Sequence, residues 1–268
     1  MEFWQLLLLS IIQGLTEFLP VSSSGHVIAL GTFIGMESTQ LDDVNIALHF
    51  GTLLAICCVY FQQIKELFSR ERKWLTSLAI GSIPAGVVGV TLMILDLNAT
   101  LHQPQIAGSM LIVTGLFLWF GKVEEESNQN VQTYVCLKTA LVIGLLQAFA
   151  ILPGISRSGV TIVTAQRMGL PSALAARFSF LLAIPIIGGA SGITLYKLLA
   201  DSSEKSVELA PQQGTNLYLL LIGVIVSALI GYFALRWLLG IIERGNFHRF
   251  AFWCIPLGAI LLIYSLYG

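Results

Sequence analysis

The sequence predicts an all-α polytopic membrane protein with an inverted-topology repeat. Three observations predict this fold: 56% of the 268 residues are hydrophobic and only 11% are charged, Pro- and Ser-containing interruptions occur at matching positions of two halves, and basic residues are biased to one side. The mean hydropathy of +0.82 is far above that of a soluble domain. We expect each half to contain one re-entrant helical hairpin and three transmembrane helices, which gives six spanning helices and two re-entrant hairpins.

Six long apolar runs predict the spanning helices. Each is close to or above the roughly 18 to 20 residues needed to cross the hydrocarbon core of a bilayer. The runs lie at about residues 44–61, 74–95, 105–121, 173–199, 217–242 and 250–267. Two shorter runs, at residues 3–12 and 137–146, precede the interruptions. Their length of about ten residues indicates re-entrant elements rather than full crossings.

An internal repeat relates the two halves, about residues 1–133 and 134–268, within a single membrane domain. A shift of 134 residues pairs Gln13 with Gln147, Val21 with Ile155, Ser22 with Ser156, Ser24 with Ser158 and Gly25 with Gly159. Because three crossings are expected in each half, the second half is expected to insert in the opposite orientation.

The distribution of Lys and Arg favours re-entrant hairpins, because short cytoplasmic loops carry an excess of basic residues. With two re-entrant hairpins, one side of the membrane receives Lys65, Arg70, Arg72, Lys73, Lys122, Lys138, Arg167, Arg236, Arg244 and Arg249. The other side receives only Lys197 and Lys205. This bias predicts that both termini face outward, with the first hairpin entering from outside and the second from the cytoplasm. The net charge of −1 gives no indication of a nucleic-acid partner.

The two interruptions have the composition of an anion site. The first break, residues 13–26, reads QGLTEFLPVSSSGH, and the second break, residues 147–159, reads QAFAILPGISRSG. In each break a proline ends one half-helix, serines are suited to cap the next, and glycines allow close backbone approach. The helix N-termini would then face a cavity and attract phosphate. The candidate phosphate-binding residues are Ser22, Ser24, Gly25, Gly154, Ser156, Ser158, Gly159 and Thr161.

Ionisable residues in both breaks add candidate chemistry, since a charge within an apolar segment is costly without a partner or a function. The guanidinium of Arg157 matches two phosphate oxygens. Glu17 has three interpretations: an ion pair with Arg157, a ligand of a divalent cation that bridges phosphate oxygens, or a proton acceptor. His26 is a candidate general base or nucleophile because it lies three residues after Ser23.

Polar and small residues outside the breaks have less specific interpretations. His49 and Arg177 either line the entrance to the site or extend to the membrane interface. Thr161 either donates to phosphate or bonds back to its own helix. The glycine-rich stretches at residues 81–89 and 188–192 indicate close helix packing.

Residues 13–26 and 153–159 resemble the bacterial undecaprenyl-diphosphate phosphatase family, also called bacitracin-resistance proteins, and the resemblance covers the whole chain. It implies an enzyme of the bacterial plasma (inner) membrane that hydrolyses undecaprenyl diphosphate to undecaprenyl phosphate and inorganic phosphate. That reaction recycles the lipid carrier for cell-wall synthesis. The resemblance also implies an active site open to the outer face and a requirement for Mg2+ or Ca2+. Assembly as a homodimer stays open.

The motifs of this family fall on three groups of residues in the chain: Gln13 and Glu17; Ser22, Ser23 and His26; and Ser156, Arg157 and Thr161. Many members have Glu where this chain has Gln13, so Glu17 is the only acidic metal ligand expected. The resemblance implies that Glu17, Ser23, His26 and Arg157 are catalytic. Either Ser23 attacks the terminal phosphorus after giving its proton to His26, or His26 activates water or attacks directly.

A transporter is the alternative function, because inverted repeats with interrupted helices at the bilayer midplane also build secondary transporters. A lipid-phosphate flippase or an anion transporter needs binding and alternating access, but it needs no attacking group. The occurrence of Ser23 and His26 together with Arg157 favours hydrolysis.

Overall fold

The computed structural model describes residues 1–36, 38–95, 97, 101–121, 134–204, 217–242 and 247–267. Over these residues the chain forms α-helices, two short 3-10 helices and no strand. The α-helices are α1 Phe3–Thr16, α2 Ser23–Phe33, α3 Ser38–Val59, α4 Phe61–Ser69, α5 Arg72–Ile94, α6 Pro104–Phe120, α7 Leu137–Ala148, α8 Arg157–Arg167, α9 Ser172–Glu204, α10 Leu217–Ile242 and α11 Ala251–Tyr267. The 3-10 helices are Phe149–Ile151 and Phe247–Phe250.

Four helical stretches in the described part are long and apolar enough to cross a membrane: Arg72–Ile94, Ser172–Ile193, Tyr218–Ile242 and Phe247–Tyr267. A fifth is available if α3 and α4, which differ in direction by 70°, form one bent span. Helix α6 is apolar but has only 17 residues, about 26 Å at 1.5 Å per residue. The prediction of a multi-pass helical membrane protein is confirmed, although length and composition identify four or five spans rather than six.

Both predicted interruptions are present. Helix α1 ends at Thr16 and α2 begins at Ser23, so Pro20 lies in the link between them. Helix α7 continues as the 3-10 helix and stops before Pro153, and α8 then begins at Arg157. The prolines therefore end the first half-helices, as a residue without a backbone N–H group should.

Glycines allow several helix pairs to approach closely. Helix α7 packs on α5, where a Cβ on Gly144 would lie 2.3 Å from the carbonyl oxygen of Gly81. Helix α6 packs on α11, where a Cβ on Gly108 would lie 2.9 Å from the carbonyl oxygen of Gly258. Close packing is thus confirmed at Gly81. It is not seen for the stretch 188–192, where a Cβ on any of the three glycines would meet no atom of the described residues closer than 3.8 Å.

Two apolar clusters extend to opposite ends of α10. The smaller cluster joins the start of α10 to the starts of α1 and α3 and contains Leu6, Leu9, Val27, Leu41, Val44 and Leu48, with Met1, Leu30, Met36, Leu219 and Leu220 at its edge. The larger cluster reaches Ile242 at the end of α10 and includes Trp74, Val135, Leu170 and Phe247. Helix α10 has 26 residues, about 39 Å in length, so the two ends of the molecule are well separated.

The contact between α5 and α7 generates a test of packing. We expect Gly144→Ala to destabilise the protein by about 1–3 kcal/mol, because the added methyl group would press on the backbone of Gly81. The matched control is Gly86→Ala on α5, where a Cβ would meet no atom within 4 Å. The midpoint of thermal unfolding in detergent should fall for the first variant and not for the second. Equal midpoints for both variants would contradict the close packing.

Candidate active site

The two breaks meet inside the protein. A Cβ on Gly25 would lie 3.0 Å from the Cα of Gly154, and one on Gly159 would lie 3.3 Å from the Cβ of Pro20. The hydroxyl of Ser158 donates to the carbonyl oxygen of Leu19 over 2.9 Å. The two halves of the chain therefore contribute to one site through direct backbone proximity.

Each break presents a helix N-terminus that is capped by serine. The Oγ atom of Ser22 accepts from the N–H of Gly25 over 3.3 Å, and the Oγ atom of Ser156 accepts from the N–H of Gly159 over 3.1 Å. The two caps are the same motif at equivalent repeat positions, as the sequence predicted. Ser24 Oγ lies 3.3 Å from Ser22 Oγ in the first cap.

The backbone of both breaks is held in unusual conformations. Ser22 has φ of 63° and Gly154 has φ of 96°, and the first value is uncommon for a residue with a side chain. The buried hydroxyl of Thr114 on α6 supports the second break, because it donates to the carbonyl of Gly154 over 2.7 Å and accepts from the N–H of Ser156 over 3.0 Å. A neighbouring helix thus fixes the link before α8.

Glu17 is the centre of the site and contacts four side chains. Its Oε1 accepts from Arg157 Nη2 over 2.6 Å. Its Oε2 accepts from Ser23 Oγ over 2.5 Å and from Gln13 Nε2 over 2.9 Å, and lies 3.2 Å from His49 Nε2. The expected ion pair between Glu17 and Arg157 is present, and it joins the first break to the second.

The other ring nitrogen of His49, Nδ1, lies 2.7 Å from the carbonyl oxygen of Asn45. Both atoms that the ring faces are therefore acceptors. Glu17 is thus contacted by the guanidinium of Arg157 at one oxygen and by the imidazole of His49 at the other.

These residues do not fit a divalent cation bound at Glu17 and Gln13. Each carboxylate oxygen offers about two acceptor positions, so the three contacts of Oε2 crowd that atom, whereas Oε1, with its one contact, keeps about one position. Gln13 is fully buried and turns its Nε2 to Glu17, so it offers one neutral oxygen, Oε1. Hard cations take six or more oxygen ligands. The described residues contain no group of three or more His, Cys, Asp or Glu that could hold a metal ion.

The hydrogen bonds found among the described residues do not join His26 to Ser23, in contrast to the expected pairing of the two. Its Nδ1 donates to the carbonyl of Ser22 over 2.8 Å, and its Nε2 accepts from the indole N–H of Trp253 over 2.7 Å. Both ring nitrogens are engaged, so the ring has no position left for the proton of Ser23 in this arrangement. The hydroxyl of Ser23 donates its hydrogen bond to the carboxylate of Glu17 instead.

The guanidinium of Arg157 keeps one nitrogen for a ligand. Its Nη2 binds Glu17, whereas its buried Nη1 has no hydrogen-bond partner among the described residues. Thr161 bonds back to the carbonyl of Arg157 over 2.8 Å and shares a hydrogen bond with Ser179. Of the two interpretations of Thr161, the structure shows the back-bond.

Thr114 and Trp253 lie near the site and were missing from the predicted set, whereas His49 was expected only at the entrance or at the membrane interface. Only His49 had a signal in the sequence, because it is an ionisable residue within an apolar run. Arg177, its counterpart in the second half, is elsewhere: it binds Glu71 and lies over the ring of Trp74. Of these two residues, His49 belongs to the site and Arg177 does not.

Comparisons with known proteins identify a family for the chain. The family model described as Bacitracin resistance protein BacA matches residues 6–260. A protein of Rhodopirellula baltica named undecaprenyl-diphosphatase is 40% identical over 99% of each chain. Proteins of the same name from Halothermothrix orenii and Campylobacter fetus are 36% and 35% identical, over 98% and 99% of this chain and 98% and 100% of their own lengths. The chain belongs to the bacitracin resistance protein BacA family.

Proposed function

We propose that this chain is an integral membrane phosphatase that hydrolyses undecaprenyl diphosphate to undecaprenyl phosphate and inorganic phosphate. The observation that carries the proposal is the contact between Ser23 Oγ and the buried carboxylate of Glu17, beside the unpartnered Nη1 of Arg157. A nucleophile, a proton acceptor and an anion-binding guanidinium are thereby brought together. The family membership agrees with this chemistry.

The phosphate groups would bind between the two helix N-termini. The caps use the N–H groups of Gly25 and Gly159. Backbone N–H groups at the very start of a helix have no acceptor within that helix. Here these are the N–H groups of Ser23 and Ser24 in α2 and of Arg157 and Ser158 in α8. Together with the helix dipoles they favour a diphosphate.

The reaction starts at Ser23. Its Oγ forms a bond to the terminal phosphorus as its proton passes to Glu17, and the bond from that phosphorus to the bridging oxygen breaks. Undecaprenyl phosphate leaves with the electron pair. Water then attacks the phosphorus of the phosphoserine, the bond from phosphorus to Oγ breaks, Glu17 returns its proton to Ser23, and inorganic phosphate leaves. Arg157 and the N–H groups stabilise the charge on the transferring phosphoryl group in both steps.

His26 has a supporting role in this proposal. It is bonded to Ser22 at the start of α2 and to Trp253 on α11. These contacts hold the helix start that presents Ser23. The alternative, in which His26 attacks or activates water, requires it to leave both partners.

We further propose that both breaks are re-entrant. For the second break, Ser77 near the start of α5 donates to the carbonyl of Val135, just before α7. Glu71, just before α5, forms an ion pair with Arg177 near the start of α9. Only four residues separate the start of α9 from the end of α8, the second half-helix of this break. Both ends of the second hairpin therefore lie near the start of α5, which supports entry and exit on one side.

The first break has the same arrangement at the other end of α10. Met1 before α1, Met36 after α2 and Leu41 in α3 share the smaller apolar cluster with Leu219 at the start of α10. The larger cluster, with Val135 and Leu170 flanking the second hairpin, reaches the end of α10. Leu219 and Ile242, which these clusters reach, are 23 residues apart on α10, about 35 Å of helix, so the hairpins would enter from opposite faces. This supports an inverted repeat with halves at about 1–133 and 134–268.

The basic residues support an orientation in the bacterial plasma membrane. Described helix ends on the side of the larger cluster carry Lys65, Arg70, Arg72, Lys73, Lys138, Arg167 and Arg249. Lys122, Lys205 and Arg244 lie outside the described residues. If the basic side is cytoplasmic, the first hairpin enters from outside and the active site opens to the outer face. The expected homodimer stays a prediction.

Activity measurements on purified protein test the function. In detergent, which removes compartments, the wild type should release phosphate from undecaprenyl diphosphate, and Arg157→Lys should lower kcat by about 10²- to 10³-fold because the planar fork is lost. The matched control is Arg236→Lys, since Arg236 is exposed on α10 and bonds Tyr232. A wild type that binds the lipid without releasing phosphate would contradict hydrolysis and favour the transporter.

Trapping of a covalent intermediate tests the nucleophile. With substrate labelled in its terminal phosphate and a neutral denaturing quench, the label should be on Ser23, because its hydroxyl is already bonded to a proton acceptor. Ser23→Ala should remove the label, whereas Ser109→Ala on α6 should keep it. Label on His26, or turnover without any labelled protein, would contradict the proposed route.

A further inference from the structure

His49 approaches Glu17 from a different helix than the other partners of that carboxylate. Gln13 precedes Glu17 on α1, Ser23 begins α2, Arg157 begins α8, and His49 lies on α3. Its Nε2 is 3.2 Å from Glu17 Oε2, the same oxygen that accepts the hydroxyl of Ser23. Arg157 holds the other oxygen. The two donors thus hold the two ends of the carboxylate.

The backbone around His49 is fixed against α10. The hydroxyl of Ser227 donates to the carbonyl of Leu48 over 2.7 Å. A Cβ on Gly51 would lie 2.4 Å from the carbonyl of Val224, so α3 and α10 are in backbone contact there. The ring is fixed as well, because its Nδ1 bonds Asn45 one turn earlier. His49 is therefore held in place independently of Glu17.

We propose that His49 is a positioning residue, which orients the proton-accepting oxygen of Glu17 toward Ser23 and occupies the place where a divalent cation would bind this carboxylate. The proposal rests on the proposed function. It follows from the three contacts that crowd Oε2 of Glu17 and from the rigid attachment of α3 to α10. The guanidinium of Arg157 supplies positive charge at the other oxygen of this carboxylate.

Substitution of His49 tests its positioning role. His49→Gln keeps a side-chain N–H donor at a similar reach, whereas His49→Leu removes it at similar size. We expect His49→Leu to lower kcat by about 10- to 100-fold with KM nearly unchanged. The reason is that the substitution disturbs the orientation of the Glu17 carboxylate and leaves substrate binding intact. His49→Gln should restore most of kcat. Phe50→Leu, the control on the half-exposed neighbour, should behave like the wild type.

These outcomes separate the inference from the proposed function. No phosphate release by the wild type would contradict the function itself. Equal kcat for the wild type and His49→Leu would contradict only the inference. The same holds if His49→Gln has a kcat as low as that of His49→Leu while its unfolding midpoint equals that of the wild type.

Metal binding is tested without substrate, because a diphosphate binds divalent cations by itself. Mn2+ is titrated into the detergent-solubilised protein and followed by electron paramagnetic resonance. We expect Glu17→Gln to bind as much Mn2+ as the wild type, because Glu17 is not expected to form a stoichiometric Mn2+ site. A one-to-one Mn2+ site in the wild type that disappears in Glu17→Gln would overturn the proposal.

Discussion

The contact between Glu17 and Arg157 is the constraint on which the rest of the site depends. It joins the first break to the second across 140 residues of sequence, within a part of the protein where both side chains are largely buried. A buried charge is retained only when it is paired and hydrogen-bonded. The pair therefore requires the two helix N-termini to face each other, and the glycine contacts between the breaks make that approach sterically feasible.

The overall class of fold could be predicted from the sequence because it depends on properties that are local in the chain. Apolar runs, prolines and serine caps specify where helices start and stop, and Pro20 and Pro153 lie in helix interruptions as expected. The number of spans was less predictable. Hydropathy marks an apolar run, but it does not reveal that α3 bends into α4 by 70° or that α6 stops after 17 residues.

The residues that form the site were largely predictable from the sequence, but the hydrogen-bond partners of those residues were not. Glu17, Ser23 and Arg157 converge as the motifs indicated, but the partner of Ser23 is Glu17 rather than His26. The difference is one of side-chain direction, because His26 bonds back to Ser22 and reaches Trp253, which is 227 residues away in sequence. Contacts of that kind depend on tertiary packing. The same holds for His49, whose role follows from the attachment of α3 to α10.

The coupling between Glu17 and Arg157 is the most direct test of this account. The unfolding midpoints in detergent are compared for Glu17→Gln, Arg157→Gln and the double variant. Arg157→Gln leaves Glu17 without its guanidinium partner and Glu17→Gln leaves Arg157 without its carboxylate, at a cost of about 3–5 kcal/mol each, whereas the double variant removes both members of the pair. The account predicts that the unfolding midpoint of the double variant is at least as high as that of the less stable single variant. A loss of stability equal to the sum of the two single losses would contradict it.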